Sequence, residues 1–217
     1  NCYSPQKNNI YFINVHSNEI TSKIATHQFL QNEGGCFIQL LNNEKRNISF
    51  NVKQKVFTID PNRIFTPKGR KATLIKNSSF SKAAEKVAKK LADSILYSLV
   101  QPKLVVAMHN NTEAEYSINS YLQGGSEADN TEEVYINPNM DADDFVYTTI
   151  PKIFQFFKEK QINVILQKQK GFVNDGSLSA YCTFKKIDYM NVEAQAGHTT
   201  EQLQILTVVK EIISWYK

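Results

Sequence analysis

Two histidines and a glutamate each follow a short apolar run in this sequence, and these are residue types that bind metals and move protons. They are His16, His109 and Glu193. Two imidazoles with one carboxylate form a set that holds a catalytic zinc ion and leaves a fourth position for water. The pattern therefore indicates hydrolytic chemistry at a metal site.

The apolar runs before these residues predict buried strands that would position them. Residues 10–15, 103–108 and 189–192 are short and mostly apolar, as buried strands are. In open α/β sheets, the carboxyl ends of the strands form the edge where ligands bind. Side chains that are far apart in the sequence are thus expected to meet at that edge.

The remaining sequence alternates between patterns typical of strands and of helices. Further predicted strands cover 36–41, a hairpin of 48–52 and 56–59, 163–166 and 179–184; predicted helices cover 20–30, 80–100, 145–157 and 199–216, and 124–144 is a polar loop near the site. This alternation is typical of an α/β fold. We expect a three-layer α/β/α sandwich with a mixed, mostly parallel sheet, as a single domain over residues 1–217.

Composition and charge narrow the class of protein. The chain has 217 residues, 41% of them hydrophobic and 21% charged, with a net charge of +4. A chain of this length buries a core without a structural metal, so a metal site would serve chemistry. The basic residues are not interleaved with aromatics, which argues against a nucleic-acid partner. No apolar run reaches the roughly 18–20 residues of a membrane span.

Three cysteines, Cys2, Cys36 and Cys182, bear on redox state and location. They form no Cys-x-x-Cys pair, so a thiolate zinc site is not expected. One disulfide is compatible with this number, but spacing does not select the pair, and buried free thiols are the alternative. The first residue is not Met, which is compatible with removal of an upstream signal. We slightly favour an exported or periplasmic location over a cytoplasmic one.

The tetrapeptide from His16 to Glu19 allows two interpretations. The two side chains could be metal ligands, or they could form a hydrogen-bonded pair at the end of a strand. His109 carries the same ambiguity, since a single histidine at a strand end is commonly just a polar group with a partner. The turn at residues 60–63 favours a binding site, because it adds an asparagine and an arginine.

Four short motifs occur in an order that resembles the zinc carboxypeptidase-like clan, and more closely its aspartoacylase and succinylglutamate desuccinylase branch. The motifs are His16-Ser17-Asn18-Glu19, Asp60-Pro61-Asn62-Arg63-Ile64-Phe65, His109, and Val192-Glu193-Ala194-Gln195. The segment from Gly176-Ser177 to Glu193 also resembles the carboxypeptidase approach to a catalytic glutamate. The similarity covers most of the chain as separate motifs, and their shared order is more specific than any one of them.

The resemblance implies a Zn²⁺ cofactor held by His16, Glu19 and His109. Glu193 would be the general base, which takes a proton from water at the zinc and later passes it to the leaving nitrogen. Zinc lowers the pKa of such a water to about 7 and polarises the scissile carbonyl, and a nearby carboxylate completes proton transfer. The alternative for Glu193 is a solvated acid at a strand end.

The resemblance also implies residues that recognise the substrate. Asn62 and Arg63 would hold a free carboxylate of the substrate, because a guanidinium is a planar fork that matches carboxylate geometry. Ser177 belongs to the same substrate-binding set. The alternative for Arg63 is a structural salt bridge with a partner such as Asp60.

Some features of the family have no clear counterpart in this sequence. An arginine near the metal stabilises the developing oxyanion in this clan; Arg46 is the nearest candidate in sequence order and Arg70 is the rival. Carboxypeptidases carry a mobile tyrosine six residues before the serine, but Gly171 occupies that place, with Tyr181 and Tyr135 as distant substitutes. The aspartoacylase branch also carries a small β-rich C-terminal domain; one helix pattern, residues 199–216, follows Glu193 here, so we expect a more open site.

The predicted function is zinc-dependent hydrolysis of an amide bond next to a free carboxylate. The substrate would be an N-acyl amino acid, as in the aspartoacylase branch. Two alternatives remain: a metallocarboxypeptidase acting on peptide or cell-wall peptide C-termini, and a non-catalytic protein that keeps the fold and binds a carboxylate.

Overall fold

A seven-stranded sheet forms the centre of the protein in the computed structural model, which describes residue 2, residues 9–112 and residues 116–216. The strands of this sheet and of a separate hairpin (β3 and β4) are β1 (Ile10–Asn14), β2 (Cys36–Gln39), β3 (Ile48–Val52), β4 (Lys55–Ile59), β5 (Leu104–Asn111), β6 (Thr131–Tyr135), β7 (Phe145–Thr148), β8 (Val164–Gln167) and β9 (Asp188–Gln195). The order in the sheet is β2-β1-β5-β9-β7-β8-β6. Strand β7 is antiparallel to β9, and β6 is antiparallel to β8, whereas the other neighbours are parallel. The expected mixed, mostly parallel sheet is confirmed.

The α-helices lie on both faces of this sheet. They are α1 (Ile20–Glu33), α2 (Pro67–Asn77), α3 (Lys82–Tyr97), α4 (Pro151–Glu159), α5 (Leu178–Lys185) and α6 (Thr199–Ile213). The buried apolar side chains of α1, α4 and α6 share one core cluster, and those of α2, α3 and α5 share another. The three-layer α/β/α sandwich is therefore confirmed. Within the described ranges, no helix is long and apolar enough to cross a membrane.

Alternation along β1 explains why both faces of the sheet are covered. Ile10 and Phe12 belong to the first cluster, and Tyr11 and Ile13 belong to the second, because successive side chains of a strand face opposite sides. All of β1 is buried, as is usual for strands in a sheet covered on both faces. The strand thereby fixes the position of the polar segment that follows it.

The prediction of one helix over residues 145–157 is wrong. This segment forms strand β7 and then α4, which begins at Pro151. Proline suits the first turn of a helix and disfavours a helical conformation in the residue before it. Ile150 accordingly has an extended backbone, with φ −115° and ψ 113°. Pro151 therefore separates the strand from the helix.

The prediction of a strand over residues 179–184 is also wrong, because this segment lies in α5. Ser177 begins the helix: its Oγ accepts a hydrogen bond from the backbone N–H of Ala180 at 3.2 Å, a favoured N-cap contact. Leu178 and Cys182 are four residues apart and both reach the core, which is helical spacing. The sequence patterns also miss α2, and they miss β6 within the predicted loop at 124–144.

A disulfide joins Cys2 to Cys36 in β2, across 34 residues of sequence. Such a crosslink restricts the unfolded chain, so Cys2→Ser is expected to lower the free energy of unfolding in urea by about 2–4 kcal/mol. A reducing agent should bring the wild-type protein to the same stability and leave the variant unchanged. A wild-type protein whose stability does not respond to reduction would contradict this prediction.

Cys182 offers a second readout of unfolding in the wild-type protein, measured without a reducing agent so that the disulfide stays closed. Its thiol is free and buried, and burial raises the pKa of Cys182 to about 12. Because the thiolate is the reactive form, a thiol reagent should label Cys182 only after unfolding. The rate of labelling therefore reports how often the native protein opens.

Candidate metal centre and substrate cavity

Strands β1, β5 and β9 lie side by side and run parallel, so their carboxyl ends share one edge of the sheet. His16 lies two residues beyond the end of β1, and His109 and Glu193 lie near the ends of β5 and β9. His109 and Glu193 are directly opposite each other in the strand register. The convergence expected from the sequence is thus present in the fold.

His16, Glu19 and His109 form a buried group that could hold a metal ion, and these three residues are called the metal group below. One candidate ligand atom from each residue lies within 4.8 Å of the others. The Nδ1 atom of His16 lies 2.7 Å from Oε1 of Glu19, and Nδ1 of His109 lies 2.8 Å from Oε2 of the same carboxylate. The exposed fractions are only 1%, 2% and 4%. Two imidazole nitrogens therefore face one carboxylate in a water-poor site.

The chemistry of this donor set fits a cation. Nε2 of His16 lies 2.8 Å from Oδ1 of Asp60, and a carboxylate there favours a proton on Nε2. A neutral His16 then presents the lone pair of Nδ1 to the oxygens of Glu19. Two lone pairs at this distance need a proton or a metal ion between them. Contacts like that of Asp60 also orient metal-binding histidines in general.

Electrostatics in the group follow from burial and pairing. Burial alone would raise the pKa of Glu19, but the charges and hydrogen bonds of His109 and His16 lower it to about 2. Burial alone would lower the pKa of His16, but Glu19 and Asp60 raise it. The pKa of Asp60 is lowered by its hydrogen bond to His16 in spite of burial. Both carboxylates are thus ionised at neutral pH, as ligands and their supporting groups need to be.

Asn14 supports the carboxylate of Glu19 from the side of the sheet. Its Nδ2 lies 3.1 Å from Oε2 of Glu19, 3.0 Å from Oγ of Ser22 and 2.8 Å from the carbonyl oxygen of Met108. Asn14 is fully buried. This contact joins the end of β1, the start of α1 and strand β5 at one point, and it holds the orientation of Glu19.

Arg46 reaches the metal group from the loop between β2 and β3. Its Nη1 donates to Oε1 of Glu19 at 2.9 Å, while half of its side chain is exposed. Ser17 ties this loop to the tetrapeptide, because its Oγ accepts from the backbone N–H groups of Asn42 and Glu44 at 2.9 and 3.2 Å. Arg46 is therefore held beside the candidate ligands.

Arg70, the rival in sequence order, lies elsewhere. It is buried in α2, where Nη1 donates to the carbonyl of Ile64 at 3.1 Å and Nε lies 3.6 Å from the carboxylate of Glu85. Of the two arginines, the structure brings Arg46 to the site.

The turn at residues 60–63 links His16 to Arg63 in the cavity wall. Oδ1 of Asp60 accepts from the backbone N–H of Asn62 at 2.8 Å and also contacts His16. Nε of Arg63 lies 3.4 Å from Oδ2 of Asp175. The salt-bridge partner of Arg63 is thus Asp175 and not Asp60, whose carboxylate is engaged by His16.

The segment before α5 docks on this turn. Oδ1 of Asn62 accepts from the backbone N–H of Leu178 at 3.2 Å, and the backbone N–H of Phe65 donates to the carbonyl of Gly176 at 2.9 Å. Ser177 lines the cavity but its Oγ is engaged locally, by the N–H of Ala180 and by the hydroxyl of Ser179 at 2.9 Å. In this structure, Ser177 mainly shapes the wall of the cavity.

The crossing of Gly69 and Gly176 is too close for any side chain. A Cβ on Gly69 would lie 2.2 Å from Cα of Gly176 and 2.6 Å from the carbonyl oxygen of Arg63. We expect Gly69→Ala to lower the free energy of unfolding by about 3 kcal/mol, because backbone atoms cannot move aside. Gly171→Ala is the control: its Cβ meets open space, so only the strain of a positive φ of 75° remains, about 1 kcal/mol. Equal losses in urea denaturation would contradict the packing explanation.

Glu193 is buried opposite His109 and has an exposed fraction of 6%. Its Oε1 accepts from Nδ2 of Asn191 at 3.0 Å. Burial raises the pKa of Glu193, and the charge of Glu19 adds to the increase, which outweighs the opposing effect of His109. A carboxylate with a raised pKa accepts a proton more readily, which is the property of a general base.

A cavity of about 490 Å³ opens beside the metal group. The candidate metal ligands, the candidate general base, Arg46 and the candidate substrate-binding residues all line it: His16, Glu19, Arg46, Asn62, Arg63, His109, Ser177 and Glu193. Arg70, Tyr181 and Tyr135, the other candidates from the sequence, do not line it. The lining residues come from separate elements and loops, so their convergence is a property of the whole fold.

Several further residues of the cavity wall were not foreseen from the sequence, namely Tyr116, Tyr121, Glu127, Tyr147, Asp175 and Asn191. The hydroxyls of Tyr116 and Tyr121 are hydrogen-bonded to each other. Tyr181, a sequence candidate for the missing tyrosine, packs against Phe65 instead. Of these residues, Glu127 lies in a segment that the sequence did place near the site. The polar composition of residues 124–144 predicted a loop there.

Comparisons with protein-family models, curated proteins and solved structures return no match for this chain. The functional argument therefore depends on the geometry of the site.

Proposed function

We propose that this protein is a zinc-dependent hydrolase that cleaves an amide bond next to a free carboxylate, as an N-acyl amino acid deacylase of the aspartoacylase and succinylglutamate desuccinylase type. One observation carries the proposal: the three candidate ligands, Glu193, Arg46 and Arg63 all line a single cavity. The similarity of the motifs to the zinc carboxypeptidase-like clan supports the same reaction.

The donor set supports zinc as the metal. Two imidazoles with one carboxylate are typical of catalytic zinc sites, which keep a further position for water or substrate. His16, Glu19 and His109 would hold the ion. When bound, zinc would polarise the scissile carbonyl and lower the pKa of water in the site.

Glu193 would move the proton in this reaction. Its carboxylate would take a proton from the attacking water and deliver it to the leaving nitrogen. Burial raises the pKa of Glu193, which suits a group that has to accept and then release a proton. Asn191 would keep the carboxylate oriented through its hydrogen bond to Oε1.

The two arginines would divide the remaining work. Arg63 and Asn62 would bind the free carboxylate of the substrate, with Asp175 holding the guanidinium of Arg63 in place. Arg46 would stabilise the negative charge that develops on the carbonyl oxygen, since a fixed cation close to that oxygen favours the transition state. Its hydrogen bond to Glu19 supports this role, because it places the guanidinium beside the candidate ligands.

A substrate panel tests this proposal. The zinc-loaded protein should hydrolyse N-acetyl and N-succinyl amino acids, and their methyl esters should be poor substrates because the carboxylate is blocked. Arg63→Lys should raise KM about tenfold, which corresponds to about 1.4 kcal/mol, because lysine cannot form the two parallel bonds of a guanidinium. Equal turnover of acids and esters would show that Arg63 does not recognise a carboxylate.

A metallocarboxypeptidase is the second candidate, and the disulfide favours it. Disulfides persist mainly in oxidising compartments, so the bond between Cys2 and Cys36 supports export, and an exported hydrolase would meet peptides and cell-wall peptides. Release of C-terminal residues from peptides, with no action on N-acyl amino acids, would favour this alternative.

A further inference from the structure

Glu127 is a carboxylate in the cavity wall that forms no ion pair within the described part of the chain. Among the described residues, no lysine, arginine or histidine nitrogen lies within the 4.0 Å of an ion pair with it. Two other acids of the cavity have cationic partners: Glu19 contacts both histidines and Arg46, and Asp175 pairs with Arg63. Glu127, like Glu193, has only a neutral amide as its side-chain partner. Burial lowers the pKa of Arg63 but nearby negative charges, Glu127 among them, raise it, so Glu127 acts on this guanidinium without forming an ion pair with it.

The surroundings hold Glu127 in this position. Nδ2 of Asn130 donates to its Oε2 at 3.3 Å, and Oδ1 of Asn130 accepts from the backbone N–H of Val173 at 2.6 Å. The backbone N–H of Glu127 donates to the carbonyl of Ser120 at 2.8 Å. Asn130 and Val173 also line the cavity. The other carboxylate oxygen, Oε1, has no hydrogen-bond partner among the described residues.

The deeper wall next to Glu127 is polar but neutral. Tyr116, Tyr121 and Tyr147 line it with Gln167, and the hydroxyl of Tyr147 donates to Oε1 of Gln167 at 2.6 Å. Burial raises the pKa of the three tyrosines, and the charge of Glu127 adds to the increase. The tyrosines therefore remain neutral, and the field of Glu127 extends along this wall.

We infer that Glu127 selects a substrate whose amino acid carries a positively charged side chain, with its free carboxylate on Arg63 and its ammonium or guanidinium group on Oε1 of Glu127. Such a ligand matches the charges of the cavity, since Arg63 and Glu127 are of opposite sign and line the same space. The substrate class would be N-acyl derivatives of basic amino acids. This inference rests on the proposed function for the position of the free carboxylate.

Binding of free amino acids tests the inference without catalysis. Calorimetry of the wild-type protein, with and without zinc, would compare lysine with 2-aminoheptanoic acid, which has a methyl group in place of the ammonium. Lysine should bind about fivefold more tightly, as a partly exposed ion pair allows, and Glu127→Gln should abolish that difference. Asp129→Asn is the matched control, because Asp129 is exposed on the same turn; it should keep the preference for lysine.

Hydrolysis of the Nα-acetyl derivatives of the same two compounds separates the inference from the proposed function. A preference for lysine that depends on Glu127, in binding and in turnover, supports both. The same preference in binding with no hydrolysis supports the inference and contradicts the proposed function. Hydrolysis without that preference overturns the inference alone, and a protein that neither binds nor hydrolyses these compounds overturns both.

Discussion

Glu193→Gln is expected to lower kcat by about 10³-fold, within the usual contribution of a general base, while zinc remains bound in a one-to-one ratio. Glutamine has nearly the same shape and can still accept the hydrogen bond from Asn191, but it cannot take a proton from water. Because His16, Glu19 and His109 are unchanged, the variant should bind zinc as tightly as the wild-type protein does. The measurement is turnover of an N-acyl amino acid beside metal analysis of the purified variant.

Stability provides the control for this variant. Burial raises the pKa of Glu193, so the folded protein binds this proton more tightly than the unfolded chain does. The ionised carboxylate therefore lowers stability as the pH rises above the unfolded pKa, and this cost is absent in the variant. Glu193→Gln should be at least as stable as wild type at pH 7.

Glu201→Gln, which lies in the first turn of α6 outside the cavity wall, should leave turnover unchanged. A Glu193→Gln protein that is folded, holds zinc and keeps wild-type activity would remove Glu193 from the mechanism. If neither the wild-type protein nor Glu193→Gln shows turnover on any amide that carries a carboxylate, the non-catalytic alternative gains support.

Glu19→Gln is expected to abolish zinc binding and, in the metal-free protein, to lower the free energy of unfolding by about 3 kcal/mol. The carboxylate of Glu19 contacts both histidines and Arg46. Its replacement removes a candidate metal ligand and leaves the buried imidazole nitrogens of His16 and His109 without a negatively charged partner. For wild type, zinc at about a thousand times its dissociation constant should add about 4 kcal/mol of stability. The variant should show no such response in thermal unfolding.

The pH dependence of the metal-free proteins tests the same contacts. The pKa of Glu19 is lowered from 4.5 to about 2 in the folded protein. Stability from its ionised form is therefore complete above pH 4.5 and is lost as the pH falls toward 2. The difference in stability between wild type and Glu19→Gln should shrink over that window.

Glu33→Gln is the matched control for this measurement. Glu33 lies at the other end of α1, where it pairs with Lys210 on the surface, and its replacement should change neither zinc binding nor the pH profile. Undiminished zinc affinity in Glu19→Gln would show that the metal, if one binds, is held elsewhere.

The parts of the fold that carry the candidate ligands could be predicted because their signals are local. The apolar runs at residues 10–15, 103–108 and 189–192 correspond to β1, β5 and β9. Each strand is buried over most of its length, and a continuous apolar run is the pattern of such strands. The general rule that strand ends gather at one edge then placed His16, His109 and Glu193 together.

Two elements were predicted incorrectly for physical reasons that are also local. In α5, apolar residues at alternate positions imitate a strand, while a single hydrogen bond to Ser177 starts a helix. Before α4, the apolar run of β7 continues into the helix, and Pro151 marks the boundary. Short apolar segments are ambiguous between strand and helix, and caps and prolines then decide between them.

The chemical groups available, the order in which they occur and the strands that carry them can be predicted from the sequence. Their partners become visible in the folded protein: Asp60 contacts His16 and not Arg63, Arg63 pairs with Asp175, and Arg46 rather than Arg70 reaches the metal group. The pairing of Cys2 with Cys36 and the position of Glu127 in the cavity wall are likewise features of the folded protein. Such contacts join residues far apart in the chain, so they depend on strand order and loop paths, which no short segment of the sequence specifies by itself.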